Sequence, residues 1–271
     1  MTATGAAARA LAAAALALVL VVVAAGVGGA QPSPVGPDGD PGGQIQILDV
    51  DEGDERITLD VAVPSGFGPL APVGRNFAVT DGDQLVGLTV APLGTAATTM
   101  LALDTSGSMR GAALDAAKAA ARSFVQTVSA DTRVGLETFG EGVVIHQEPT
   151  LDRASLLTAL DGITTAEGET PLWDALVTAA DLVGADGRRS SVVVLSDGED
   201  TVSTASQATA IERLTAHSTI VYAVAVESPE ADFGALRATV DQVGGQFLAT
   251  TDIGEFERLY TEIAGRLANR Y

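Results

Sequence analysis

Five side chains bearing hard oxygen atoms carry the most chemistry in this chain. They are Asp104, Ser106 and Ser108 in LALDTSGSMRG, Thr170 in AEGETPLWDAL, and Asp197 in LSDGEDT. Two carboxylates and three hydroxyls, with no sulfur or imidazole among them, suit a hard cation: Mg2+, with Mn2+ or Ca2+ as alternatives. Hydroxyls are neutral ligands, so such a site leaves the positive charge of the ion partly uncompensated. An octahedral ion held this way would keep one position for an outside oxygen, ideally a carboxylate of a protein partner. A plainer reading stands beside this one. Asp104 and Asp197 each precede a helical pattern and could cap it, and Thr170 before Pro171 has the same form. Convergence of all five at one place in the fold is what separates the two readings.

The elements around these residues predict that convergence. Met100 to Asp104 is a short apolar strand. Gly111 to Ser129 has helical spacing, with Leu114, Ala117, Ala121, Phe124, Val125 and Val128 on one face. Val134, Leu136 and Phe139 mark a strand, and Val143 to His146 another. Two helices follow, one on Leu156, Leu157, Leu160 and Ile163, the other on Leu172, Leu176, Val177, Ala180 and Val183. Val192 to Leu195 is continuously apolar, as expected of a strand covered on both faces. A helix near Ser206 to His217, a strand Ile220 to Val226, a helix Phe233 to Val243, a strand Gln246 to Leu248 and a helix Glu255 to Asn269 complete the pattern. Strands alternating with helices predict a doubly wound α/β fold, a mostly parallel sheet with helices on both faces. Ligands in such folds bind at the carboxyl ends of strands. Asp104 and Asp197 both stand there.

Asp104-x-Ser106-x-Ser108, Thr170 in ETPLWDAL and Asp197 in SDGED resemble the metal-ion-dependent adhesion site of von Willebrand factor type A domains. The resemblance runs from about Thr98 to the C-terminus, and GGQFLATTDIGEFERLY is similar to the last strand and helix of that family. It implies a central sheet with one antiparallel edge strand. It also implies direct metal contact by Ser106, Ser108 and Thr170, with Asp104 and Asp197 acting largely through water. Glu167, Gly168 and Glu169 depart from the small residues common before the threonine. Glu137 falls in a strand that the family usually keeps apolar, and is expected at an exposed strand end. Glu199 and Asp200 read as solvated, Trp173 as packing under the loop, and His146 and His217 as surface residues.

Charge and composition narrow the function. Asp and Glu number 35 against 15 Lys and Arg, for a net charge of −20. Such a surface repels phosphate backbones and anionic lipid heads, which argues against nucleic-acid binding. The chain has no cysteine, so disulfides, thiolate metal sites and cysteine nucleophiles are excluded. Catalysis has little support. Ser106 and Ser108 lack the Gly-x-Ser-x-Gly setting of a hydrolase elbow. No Gly-rich phosphate loop with Lys is present.

Residues 1–30 place Arg9 before an apolar run from Ala10 to about Ala25 and then small residues. This is the order of an export signal. The same run can be read as an uncleaved membrane anchor, and either reading puts the remainder outside the cytoplasm. Residues 31–43 are rich in Pro and Gly and read as a tether. Residues 44–95 alternate with period two and predict a small β module leaning on its neighbour. Residues 96–271 form the α/β domain. The expected function is extracytoplasmic, metal-dependent binding of a protein carboxylate. The alternative is a scaffold or sensing subunit of a membrane-associated secretion or surface-appendage assembly, with a metal-dependent hydrolase behind both. Partner identity, the role of the β module and oligomeric state are not encoded legibly.

Overall fold

The computed structural model describes residues 18–22, 46–52, 57–62, 77–81, 84–86, 96–165, 168–185, 187–197, 200–226 and 232–268. The N-terminal strands are β1 (Leu18–Val22), β2 (Gln46–Glu52), β3 (Ile57–Ala62), β4 (Phe77–Asp81) and β5 (Gln84–Val86). β2 and β3 pair antiparallel; β4 pairs antiparallel with both β5 and β1. β4 and β5 form a hairpin, with Asp81 opposite Gln84. Leu18–Val22, inside the segment read as signal or anchor, is extended; its Leu/Val composition suits a strand as well as an apolar helix. Among the described residues no helix is long and apolar enough to cross a membrane. The tether at 31–43 and the expected packing of the β module on its neighbour lie outside the described residues.

The α/β domain follows the predicted alternation closely. Its strands are β6 (Ala97–Asp104), β7 (Arg133–Phe139), β8 (Val143–Thr150), β9 (Arg189–Ser196), β10 (Thr219–Val226) and β11 (Gly245–Thr250). Its helices are α1 (Ala112–Thr127), α2 (Arg153–Asp161), α3 (Leu172–Gly184), α4 (Gln207–Ala216), α5 (Gly234–Val243) and α6 (Phe256–Ala268). The sheet order is β11-β10-β9-β6-β7-β8, parallel except for β8, which runs antiparallel along the edge beside β7. The chain winds first to one side of β6 and then to the other. The order therefore reverses between β6 and β9, where diverging loops leave a crevice at the carboxyl ends.

Alternation within the strands divides the core into two layers. Leu101, Leu103, Val193, Leu195, Tyr222 and Val224 face α1, α2 and α6. Met100, Ala102, Val192, Val194, Val221 and Ala223 face α3, α4 and α5. Small residues on α1 (Ala117, Ala120 and Ala121) accompany its close packing with α6, where the Phe124 and Tyr260 rings meet edge to face at 6.2 Å. Two helices carry their own caps. Asp152 accepts the Ala154 and Ser155 N–H groups at 3.0 and 3.1 Å at the start of α2, and Ser206 accepts the Thr209 N–H at 3.2 Å at the start of α4.

Glu137 corrects one expectation. It has no exposed surface at all, because β8 pairs along β7 and places Ile145 opposite it. Its partner Ile145 lies within the strand predicted from Val143 to His146; the expectation fails because α3 covers this face of the sheet, which the pattern of β7 alone does not show.

One backbone junction is intolerant of any side chain. Gly245 enters β11 with φ +120°, and a Cβ there would sit 2.0 Å from the Val221 carbonyl oxygen. Gly245→Ala is expected to destabilise the domain by about 2–4 kcal/mol, from backbone strain and overpacking together. Urea denaturation measures it.

Candidate metal centre

Asp104 is the last residue of β6, and its side chain has no solvent exposure. Its Oδ1 accepts the Ser106 N–H at 2.8 Å, a local turn that bends the chain away from the strand. Its Oδ2 accepts the Ser196 hydroxyl at 2.6 Å from the end of β9. Burial pushes the Asp104 carboxyl above its ordinary range. The bonds from Ser106 and Ser196 pull it back down, while the charge of Asp197 adds to the upward push. No cationic side chain is among the groups acting on it. Neither oxygen caps a helix, so the capping reading does not hold for Asp104.

The loop after β6 makes a single 3-10 turn, Gly107–Met109, pinned by the fully buried Met109. This turn brings Ser106 and Ser108 together, with 3.1 Å between their hydroxyl oxygens. The Ser108 hydroxyl then donates to Asp197 Oδ1 at 2.9 Å. Ser106, Ser108 and Asp197 thus form one hydrogen-bonded line across the crevice, from the loop after β6 to the residue after β9, with Ser108 and Asp197 89 residues apart in sequence. Asp197 faces this line and is not a cap for α4, whose start is held by Ser206.

Thr170 lies in a third loop, between β8 and β9. The Gly107 N–H meets the Gly168 carbonyl at 3.4 Å, which places the Thr170 segment beside the serine turn. Gly168 is required there: a Cβ would lie 2.4 Å from the Glu141 nitrogen, in the turn between β7 and β8. Thr170 is 6% exposed. The plainer capping reading does not hold for it. Pro171, not Thr170, occupies the N-cap position, and it supplies no side-chain cap bond.

The free N–H groups of α3 are taken instead by residues 200–203. The Thr170 N–H donates to Thr201 Oγ1 at 2.8 Å, and the Thr201 N–H returns to the Thr170 carbonyl at 3.0 Å. The Trp173 N–H donates to Asp200 Oδ1 at 3.2 Å, and the Asp174 N–H to Ser203 Oγ at 3.1 Å. Asp174 closes the exchange by accepting the Thr204 and Ala205 N–H groups at 2.9 and 2.7 Å. Asp200 is therefore a cap for α3 and not a solvated acid. Trp173 is buried beneath this junction, as expected. Glu167 and Glu199 lie outside the described residues.

Ser196, Thr201 and Thr105 are the contributors that sequence reasoning missed. Thr105 donates both its N–H, at 2.8 Å, and its hydroxyl, at 3.1 Å, to the Phe139 carbonyl at the end of β7. Adjacency to Asp104 and Asp197 was the only signal for Thr105 and Ser196. Neither serine of the turn has a histidine base. His146 Nε2 lies 2.8 Å from Thr138 Oγ1, and His217 pairs with Asp181 at 3.5 Å.

Among the described residues no group of three or more His, Cys, Asp or Glu side chains is placed to hold a metal. Any ion at the crevice would have to be held through hydroxyls. The donors present fit a hard divalent cation: Ser106, Ser108 and Thr170 as neutral oxygens, Asp104 and Asp197 as charged ones. A buried carboxylate whose upward push is countered only by hydrogen bonds from Ser106 and Ser196 is a second observation in favour of that fit.

Comparison with known proteins follows the same geometry. Residues 99–199 match the family model of the von Willebrand factor type A domain. A von Willebrand factor type A protein from Catenulispora acidiphila superposes with TM-score 0.59 at 17% identity, covering 71% of this chain and 45% of that one. The present chain thus spans less than half the length of that relative. An aerotolerance-related membrane protein from Bacteroides fragilis superposes with TM-score 0.51 at 18% identity, covering 62% of this chain and 98% of that one. Proximal thread matrix protein 1 from the mussel byssus gives TM-score 0.55 at 17% identity, over 66% and 48% of the two chains. No curated protein matches in sequence.

Asp174→Ala is expected to release the 200–205 segment from α3. Amide hydrogen exchange at Thr204 and Ala205 should accelerate while β6 amides keep their protection, at a stability cost of about 1–3 kcal/mol.

Proposed function

We propose that the crevice holds Mg2+, or Mn2+ or Ca2+ in its place, and that the ion bridges this domain to a carboxylate on a protein partner. The hydrogen-bonded line Ser106–Ser108–Asp197, set against the buried Asp104, carries this reading. It gathers neutral and charged oxygens from β6 and β9 at the one place in the sheet where strand order reverses. Thr170 would add a third hydroxyl from the loop that meets the serine turn.

The chemistry the ion supplies is Lewis-acid attraction for an anionic oxygen. The role of the chain is to orient the donors and hold them apart from other tasks. Asp200 and Ser203 cap α3, so Thr170 is not needed for that; Ser196 fixes Asp104, so its carboxylate presents one orientation. The domain type, with its relatives among membrane and matrix proteins, supports a role in protein interaction. An export signal or anchor at residues 1–30 would put that interaction outside the cytoplasm, in the envelope or at the surface of a bacterial cell.

Asp104→Ala should abolish Mg2+ binding measured by isothermal titration calorimetry while leaving the far-UV circular dichroism spectrum close to wild type. Partner capture should be lost in EDTA and restored by Mg2+. Unchanged ion affinity in Asp104→Ala overturns the site; capture that ignores EDTA overturns the bridging role.

A further inference from the structure

Glu137 lies at the centre of β7 with no exposed surface, and neither carboxyl oxygen has a hydrogen-bond partner. Its register partners are Ala102 on β6 and Ile145 on β8. It shares its sheet face with Phe139, the face covered by α3, whose Leu172, Ala175 and Leu176 are all buried and apolar. Charged and titratable groups on the surrounding elements are engaged elsewhere. Asp104, diagonal to it on β6, is bound by Ser106 and Ser196. Asp174 on α3 is bound by the 204–205 amides. His146 on β8 bonds Thr138, the neighbour of Glu137 on the opposite sheet face. Arg133 stands at the far end of β7, and Glu148 is exposed on β8. Among the described residues, none of these groups stands as a counter-charge to Glu137.

The strand that carries Glu137 ends at the loop junction of the crevice. Two residues on, the Phe139 carbonyl receives both bonds from Thr105. The following turn packs its Glu141 backbone against Gly168, whose carbonyl meets the serine turn. Whatever disturbs the packing of β7 against β8 and α3 therefore reaches the loops of Ser106, Ser108 and Thr170.

We propose that Glu137 is a proton-dependent latch: neutral, it lets β7, β8 and α3 pack dry; ionised, it loosens that edge and the loop junction above it. An isolated carboxylate in an apolar layer costs several-fold more than the neutral acid, since no partner replaces its water. Burial alone raises the Glu137 carboxyl well above its ordinary range. The sign follows from linkage. Below the ordinary glutamate value both folded and unfolded chains hold the proton and stability is at its fullest. As pH rises beyond that value the unfolded chain releases its proton first, and stability falls until the raised folded value is passed. His146 works in the opposite direction. Burial lowers its value, so its contribution is present at higher pH and is lost on acidification.

The test compares the full chain with Glu137→Gln and with Glu137→Met in EDTA, from about pH 4.5 to about pH 8.5. Urea midpoints are read for all three, with amide exchange of β8 and residues 140–142 corrected for its intrinsic pH dependence. Both variants should gain on wild type as pH rises, by up to about tenfold in the folding equilibrium constant per pH unit, the limit for one proton. Exchange at β8 should quicken with pH in wild type and not in the variants. Profiles that run parallel in all three proteins overturn the proposal. Should Glu137→Gln fail to fold, Glu137→Met decides alone. The ion-free condition keeps the outcome independent of whether the crevice binds metal.

Discussion

Asp104 is a carboxylate with no exposure, at the end of the central strand. Removing such a group from water costs on the order of several kcal/mol unless bonds replace its hydration. Two bonds do so, from the Ser106 amide and the Ser196 hydroxyl, and each dictates geometry. The first turns the chain sharply after β6, which makes the serine pair possible. The second ties the ends of β6 and β9 together across the point where the sheet order reverses. The rest of the crevice is arranged around this pair of constraints.

The loops that meet there are held by one another more than by the core. Thr105 is fastened to the end of β7, Gly107 to Gly168, and Thr170 to Thr201 in both directions. Caps that α3 would ordinarily draw from its own preceding residues come from the loop after β9. This exchange leaves the hydroxyls of the serine turn to bond each other and Asp197. It also makes the site cooperative: loosening any one loop removes bonds from the next. Glu137 matters in this setting because it weakens the one sheet edge, β7 with β8, on which two of the loops rest.

Much of this was legible in the chain before any coordinates. Continuous apolar runs such as Val192–Leu195 announce a sheet covered on both faces, and every strand and helix predicted from residue 97 onward is present. All four residues Asp104, Ser106, Ser108 and Asp197 meet, as their spacing suggested. Two expectations differ from the structure. Asp200 reads as solvated from its neighbours in sequence, whereas the N–H group it accepts belongs to Trp173, 27 residues away. Glu137 reads as an exposed strand end, whereas α3 covers that face of β7.

The sequence alone determined what depends on local regularity: the alternation of strand and helix, the division of apolar residues between two layers, and the types and order of the oxygen donors. These follow from backbone periodicity and from side-chain chemistry, which need no partner. Only the tertiary structure decided which donors face the crevice, which ones cap helices, and which carboxyl is sealed from water. Those outcomes depend on which loops the sheet order brings side by side, and a hydrogen bond between residues far apart in sequence leaves no periodic trace along it.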